Sequence, residues 1–139
     1  MKKVMIAVIV LLSMLYTVGA WAQLKDGLWE MTTQVQITGM TQQIPPATFR
    51  QCITKSDPVP KNQDKNFECK TTSQKVSGNT LTYAAECKGK DGVMTTTGQS
   101  TYTGNTMDGS ASTSFKMKGQ PAMQMNSKMK GKYIGPCPK

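Results

Sequence analysis

Two cysteines constrain this chain more than any other pair of its residues. They sit near the outer ends of the stretch Phe67 to Lys88, FECKTTSQKVSGNTLTYAAECK. Ser77-Gly78-Asn79 supplies turn chemistry, and the flanks Lys70 to Val76 and Thr80 to Glu86 are rich in Thr, Val and Tyr, so the stretch reads as a β-hairpin. With Ser77 to Asn79 as a three-residue loop, Val76 faces Thr80 and Cys69 falls directly across from Cys87. Direct cross-strand neighbours are within disulfide reach, so a bridge is expected here.

Residues 1 to 22 have the form of a signal peptide. Lys2 and Lys3 make a basic start, Val4 to Val18 is an apolar run, and Ala20-Trp21-Ala22 fits the small-x-small cleavage pattern. Cleavage after Ala22 leaves a single domain, 23 to 139, with no transmembrane span expected in it. All four cysteines, Cys52, Cys69, Cys87 and Cys137, lie in that part, and an even number in an exported chain favours disulfides. Once Cys69 and Cys87 are paired, Cys137 is left with Cys52, although other pairings stay open. The cysteines lack the paired C-x-x-C knuckles of a zinc site, and the chain has no histidine.

Turn chemistry sets the strand register through the second half of the chain. Gly89 to Gly92 as a four-residue turn places Cys87 opposite Met94 and Tyr83 opposite Gly98. Gly104-Asn105 as a two-residue turn of type I′ places Tyr102 opposite Met107. A turn around Gly119 to Pro121 brings Met117 opposite Met123, Phe115 opposite Met125, Ala111 opposite Met129 and Met107 opposite Tyr133. Together these registers gather Phe67, Cys69, Leu81, Tyr83, Cys87, Met94, Tyr102, Met107, Ala111, Phe115, Met117, Met123, Met125, Met129 and Tyr133 on one face. The opposite face collects Lys70, Glu86, Asp108, Lys116, Lys118, Lys128, Lys130 and Lys132. A slip of one residue would exchange the faces, so their agreement supports a continuous antiparallel meander. Lys75 alone is misplaced, falling on the apolar set.

Upstream, LKDGLWEMTTQVQI alternates strictly, with Trp29, Met31, Val35 and Ile37 apolar, and reads as a half-buried strand. Gly39 to Pro46 reads as a loop and Ala47 to Ile53 as a short strand. Thr54 to Lys65 reads as a polar surface excursion in which Ser56-Asp57 caps one helical turn. The expected fold is therefore all-β: about seven antiparallel strands in a strongly curled sheet or partly closed small β-barrel, stapled by disulfides.

The residue inventory argues against catalysis. Disulfides consume every thiol, histidine is missing, and Glu30, Glu86 and Asp108 fall on the polar face, so neither an enzyme nor a cofactor is expected. After cleavage, 15 Lys plus Arg stand against 8 Asp plus Glu, a net charge of +7 that suits an anionic envelope component. Lysines without interleaved aromatics do not make a nucleic-acid platform. The first expectation is thus a noncatalytic envelope-associated structural or interaction domain with a packed core.

Methionine supplies two alternatives. Met107, Met117, Met123, Met125 and Met129 share the apolar face with Tyr102 and Tyr133, interspersed with small residues that leave room for an apolar or lipid ligand inside the curled sheet. Thioethers also favour Cu(I), with Met117 and Met125 as the candidate pair.

The order of segments is itself distinctive. A signal peptide, GLWEMTT with Trp29, the loop GMTQQIPP, Cys52, the segment CKTTSQKVSGNTLTYAAEC, then YTGNTMDG and a closing Tyr133-Ile134-Gly135-Pro136-Cys137 resemble the exported bacterial domain-of-unknown-function family 3617. The resemblance runs from about Leu24 to Cys137. It implies a location in the periplasm or envelope of a Gram-negative bacterium, and it brings no activity, substrate or catalytic residue.

Overall fold

Alternating apolar and polar residues, interrupted by turn residues, fold this chain into seven strands. They are β1 (Gly27–Ile37), β2 (Ala47–Ile53), β3 (Phe67–Ser77), β4 (Thr80–Gly89), β5 (Gly92–Thr103), β6 (Thr106–Met117) and β7 (Met123–Gly135). The structure is a computed structural model and describes residues 24–61 and 64–139. The expected signal segment lies outside the described residues. All strand pairs are antiparallel, in the order β2-β1-β7-β6-β5-β4-β3. The meander runs from β3 to β7, and β1 then docks on β7.

The sheet is curled, and ring contacts measure how far. Trp29 on β1 and Tyr102 on β5 are three strand spacings apart, roughly 14 Å along a flat sheet. Their ring centroids are 5.5 Å apart. Phe67 on β3 and Phe115 on β6 are equally separated in strand order and meet at 5.9 Å. The sheet is therefore a half-barrel with aromatic contacts across its concave side at two levels.

One end of that concave side is packed shut. Leu24, Trp29, Met31, Ile53, Val59, Leu81, Tyr83, Tyr102 and Met107 form the buried cluster, with Tyr133 packed against it. Trp29 is 0% exposed, donates Nε1–H to the Lys25 carbonyl at 3.0 Å, and meets Tyr133 edge-on at 5.8 Å. The segment after β2 is more than a surface excursion. Thr54 and Asp57 exchange backbone hydrogen bonds of 3.3 and 3.1 Å, forming a tight turn where a helical turn was expected. Pro58 and Val59 then enter the core, and the Pro58 carbonyl accepts from the Tyr102 hydroxyl at 3.1 Å.

Three turn assignments need correction. The first hairpin has a two-residue turn, Gly78-Asn79, with Ser77 opposite Thr80 and Val76 opposite Leu81. A β-bulge between Thr71 and Ser73 absorbs the one-residue offset, so Cys69 still lies opposite Cys87. The bulge moves Lys75 to the outer face opposite Thr82 and turns Val76 onto the core, which removes the misfit. The Gly104-Asn105 turn has positive φ at Gly104 and not at Asn105, the pattern of type II′ in place of type I′.

The last hairpin pairs Phe115 with Met123, Thr113 with Met125 and Met107 with Gly131, two residues away from the expected register. Gln120 turns back to the Met117 carbonyl, and Lys118 N–H donates to the Asp91 carbonyl, so the end of β6 stays with β5. Pro121 has no N–H to offer β7, and pairing starts at Met123. An even slip preserves the faces.

Two disulfides staple the sheet. Cys69–Cys87 joins β3 to β4 with Cα atoms 4.0 Å apart. Cys52–Cys137 joins β2 to the tail after β7 with Cα atoms 5.6 Å apart.

Candidate functional site

The strand registers build the concave face in cross-strand rows. One row runs Tyr83, Gly98, Ala111, Ser127, Val35 across β4, β5, β6, β7 and β1. Its three central residues are small: the Tyr83 ring fills the space over Gly98, and a hollow is left above Ala111 and Ser127. The next row contains Ala85, Thr96, Thr113 and Met125, and the one after it Cys87, Met94 and Phe115. On the core side lies the row Leu81, Ser100, Gly109, Met129. Between the packed end and the Phe67–Phe115 contact, these rows enclose a cleft of about 430 Å³.

The walls of the cleft are apolar. Val35, Phe49, Val59, Met94, Met125 and Met129 line it, and its lining draws on both edge strands, β2 and β3. The polar groups that face it are largely committed to each other. Thr96 and Thr113 share a hydroxyl hydrogen bond of 2.8 Å, and Ser127 Oγ donates to the Ala111 carbonyl at 3.4 Å. Lys61 at the rim is ion-paired with Asp57.

Tyr83 forms part of the floor. It is 5% exposed, and its ring lies across Gly98, where a Cβ would come within 2.6 Å of both Cζ and the hydroxyl oxygen. Glycine is required there by this close approach. Burial pushes the Tyr83 hydroxyl above the usual tyrosine range. Burial, and secondly the charge that Tyr83 would carry, raise Tyr102 further.

The residues singled out from the sequence are divided by the structure. Met125 and Met129 line the cleft. Tyr102 and Met107 lie in the packed end, 2% and 1% exposed, and Tyr133 packs beside Trp29. Met117 lines a separate hollow with Gly89, Gly92 and Val93, so it does not join Met125 around one site. Met123 is half-buried beside Phe115. The reading from sequence did not single out Val35, Phe49, Val59, Tyr83 or Met94 as site residues. Strand parity already put Tyr83 and Met94 on the right face, but the curl that brings β1 and β2 over β4 leaves no mark in local patterning.

Other chemistry is sparse. All four cysteines are bridged, and among the described residues no group of three or more His, Cys, Asp or Glu could hold a metal ion. Glu30 pairs with Arg50, Glu86 with Lys88 and Asp108 with Lys130, all toward solvent. Among the described residues no helix is long and apolar enough to cross a membrane.

A family model described as a protein of unknown function (DUF3617) matches residues 24–137, nearly all of the described chain. The chain belongs to the DUF3617 family. The match extends from Leu24 in the packed end to Cys137 in the second disulfide, so the DUF3617 unit and the half-barrel coincide. No curated protein and no solved structure matches this DUF3617 chain.

Proposed function

We propose that this DUF3617 domain is an exported, noncatalytic binding module that holds an apolar or lipid-like ligand in the cleft of its curled sheet. One observation carries the reading. A half-barrel packed shut at one end keeps an apolar hollow of about 430 Å³ above the small residues Ala111 and Ser127, beside the Tyr83 ring that covers Gly98. That size falls within the roughly 300–1,000 Å³ of small-molecule sites. A fully packed interaction domain would fill these positions with large side chains. Methionine walls suit a flexible guest, because their unbranched side chains adapt to its shape.

The location follows from the other end of the chain. The pattern of residues 1 to 22 supports export with a mature domain of 23 to 139, and two disulfides are at home in an oxidising compartment. The periplasm of a Gram-negative cell is the site of action on this reading.

Native mass spectrometry of the oxidised protein, before and after denaturing release, tests the binding reading, followed by titration with the apolar fluorophore N-phenyl-1-naphthylamine. The expected result is a small-molecule adduct or uptake of one probe per chain, abolished by Ala111→Phe, which fills the hollow. A bare wild-type chain that takes up no probe would overturn it.

A further inference from the structure

The cleft is apolar along its walls, yet its floor carries a hydroxyl with nothing to do. Tyr102, one of the two buried tyrosines, donates to the Pro58 carbonyl at 3.1 Å. Tyr83 has no hydrogen-bond partner for its hydroxyl among the described residues, although it is 5% exposed and lines the cleft. Its hydroxyl oxygen lies over Gly98, within the row that continues through Ala111 and Ser127. Unlike Ser100 Oγ, the Tyr83 hydroxyl is not sealed from solvent, so it is open to donate to a guest in the cleft.

We propose that the natural ligand is an amphiphile that enters the cleft with an uncharged hydrogen-bond acceptor leading, and that the Tyr83 hydroxyl donates to that acceptor. The inference rests on the binding reading above and adds the ligand's polarity and orientation. A further feature points the same way. The charged residues of the lining are Lys61 and Lys70, both exposed, and Lys61 is already paired with Asp57. A carboxylate or phosphate driven to the floor would be left without a countercharge. An ester, amide or ketone carbonyl fits: it accepts one hydrogen bond and is otherwise compatible with methionine walls.

The test compares decane with 2-decanone, two probes of similar length, as displacers of N-phenyl-1-naphthylamine from the oxidised full-length mature chain. The ketone-to-decane affinity ratio is expected to be about tenfold higher in the wild type than in Tyr83→Phe, the worth of one net hydrogen bond, with decane bound equally by both. Infrared spectra of carbonyl-labelled 2-decanone in the wild type supply a readout independent of the variant's folding, with the C=O stretch expected below its position in hexane. An unshifted carbonyl stretch, or a ketone-to-decane ratio unchanged in folded Tyr83→Phe, would overturn the anchor while leaving the apolar cleft in place. Failure of both probes to bind would remove the cleft reading and the anchor together.

Discussion

At the scale of single residues, the two buried tyrosines tie stability to alkaline pH. A phenol in an unfolded chain loses its proton near pH 10, whereas burial holds Tyr83 and Tyr102 protonated to higher pH in the fold. Between those values the folded chain binds more protons than the unfolded one, so stability falls as pH rises. The contribution is fully present below about pH 10 and is lost as pH climbs through the folded values. Urea midpoints are therefore expected to be insensitive to these two groups from pH 7 to 9 and to drop above 10. Tyr102→Phe should flatten the drop while costing about 1 kcal/mol at neutral pH, since it strips the Pro58 carbonyl of its donor.

At the scale of elements, parity explains what could be read in advance. The last hairpin is two residues from its expected register, yet every side chain keeps its face because strands repeat every two residues. The first hairpin is displaced by one residue, which would have exchanged the faces, and the bulge at Thr72 undoes it before Cys69 is reached. The misplaced Lys75 was the visible trace of that bulge in the sequence. Pro58-Val59 was harder to see, because a two-residue insertion into the core has no period. The bulge gives a sharp expectation. Deleting Thr72 should leave a regular ladder with Cys69 still opposite Cys87, so the disulfide forms and stability changes by less than about 1 kcal/mol. Deleting Ala84 on β4 shifts the ladders on both of its sides and should leave free thiols. Thiol labelling of the unreduced variants, with a urea titration of each, checks both. β3 is also a free edge, and a straightened β3 should self-associate more readily.

At the scale of the molecule, the inner face was legible but its closure was not. Alternation shows which side chains share a face; it is silent on which distant strands that face brings together. Trp29 with Tyr102, and Phe67 with Phe115, meet because the sheet curls, and the cleft exists between those two contacts. The Cys52–Cys137 bridge holds the curl at one edge by joining β2 to the tail beyond β7, 85 residues away in sequence. Replacing both cysteines with serine should cost about 4 to 5 kcal/mol, as loop entropy predicts for a closure of this length, with the larger effect on unfolding midpoints of the two bridges. The shorter Cys69–Cys87 loop should cost about 3 kcal/mol when opened in the same way.

The docking of β1 on β7 also has a consequence in time. A chain delivered amino end first presents Trp29 and Met31 early, while the strand that buries their flank, Met123–Gly135, arrives last. The β3 to β7 meander can zip up from neighbouring turns as it emerges, but the β1–β7 seam must wait for the whole chain. Loop closure on that scale is slow compared with forming a hairpin. Until it happens the most apolar part of the molecule stands open, which makes the interval between delivery of the first strand and the last the period in which this protein most needs protection from aggregation.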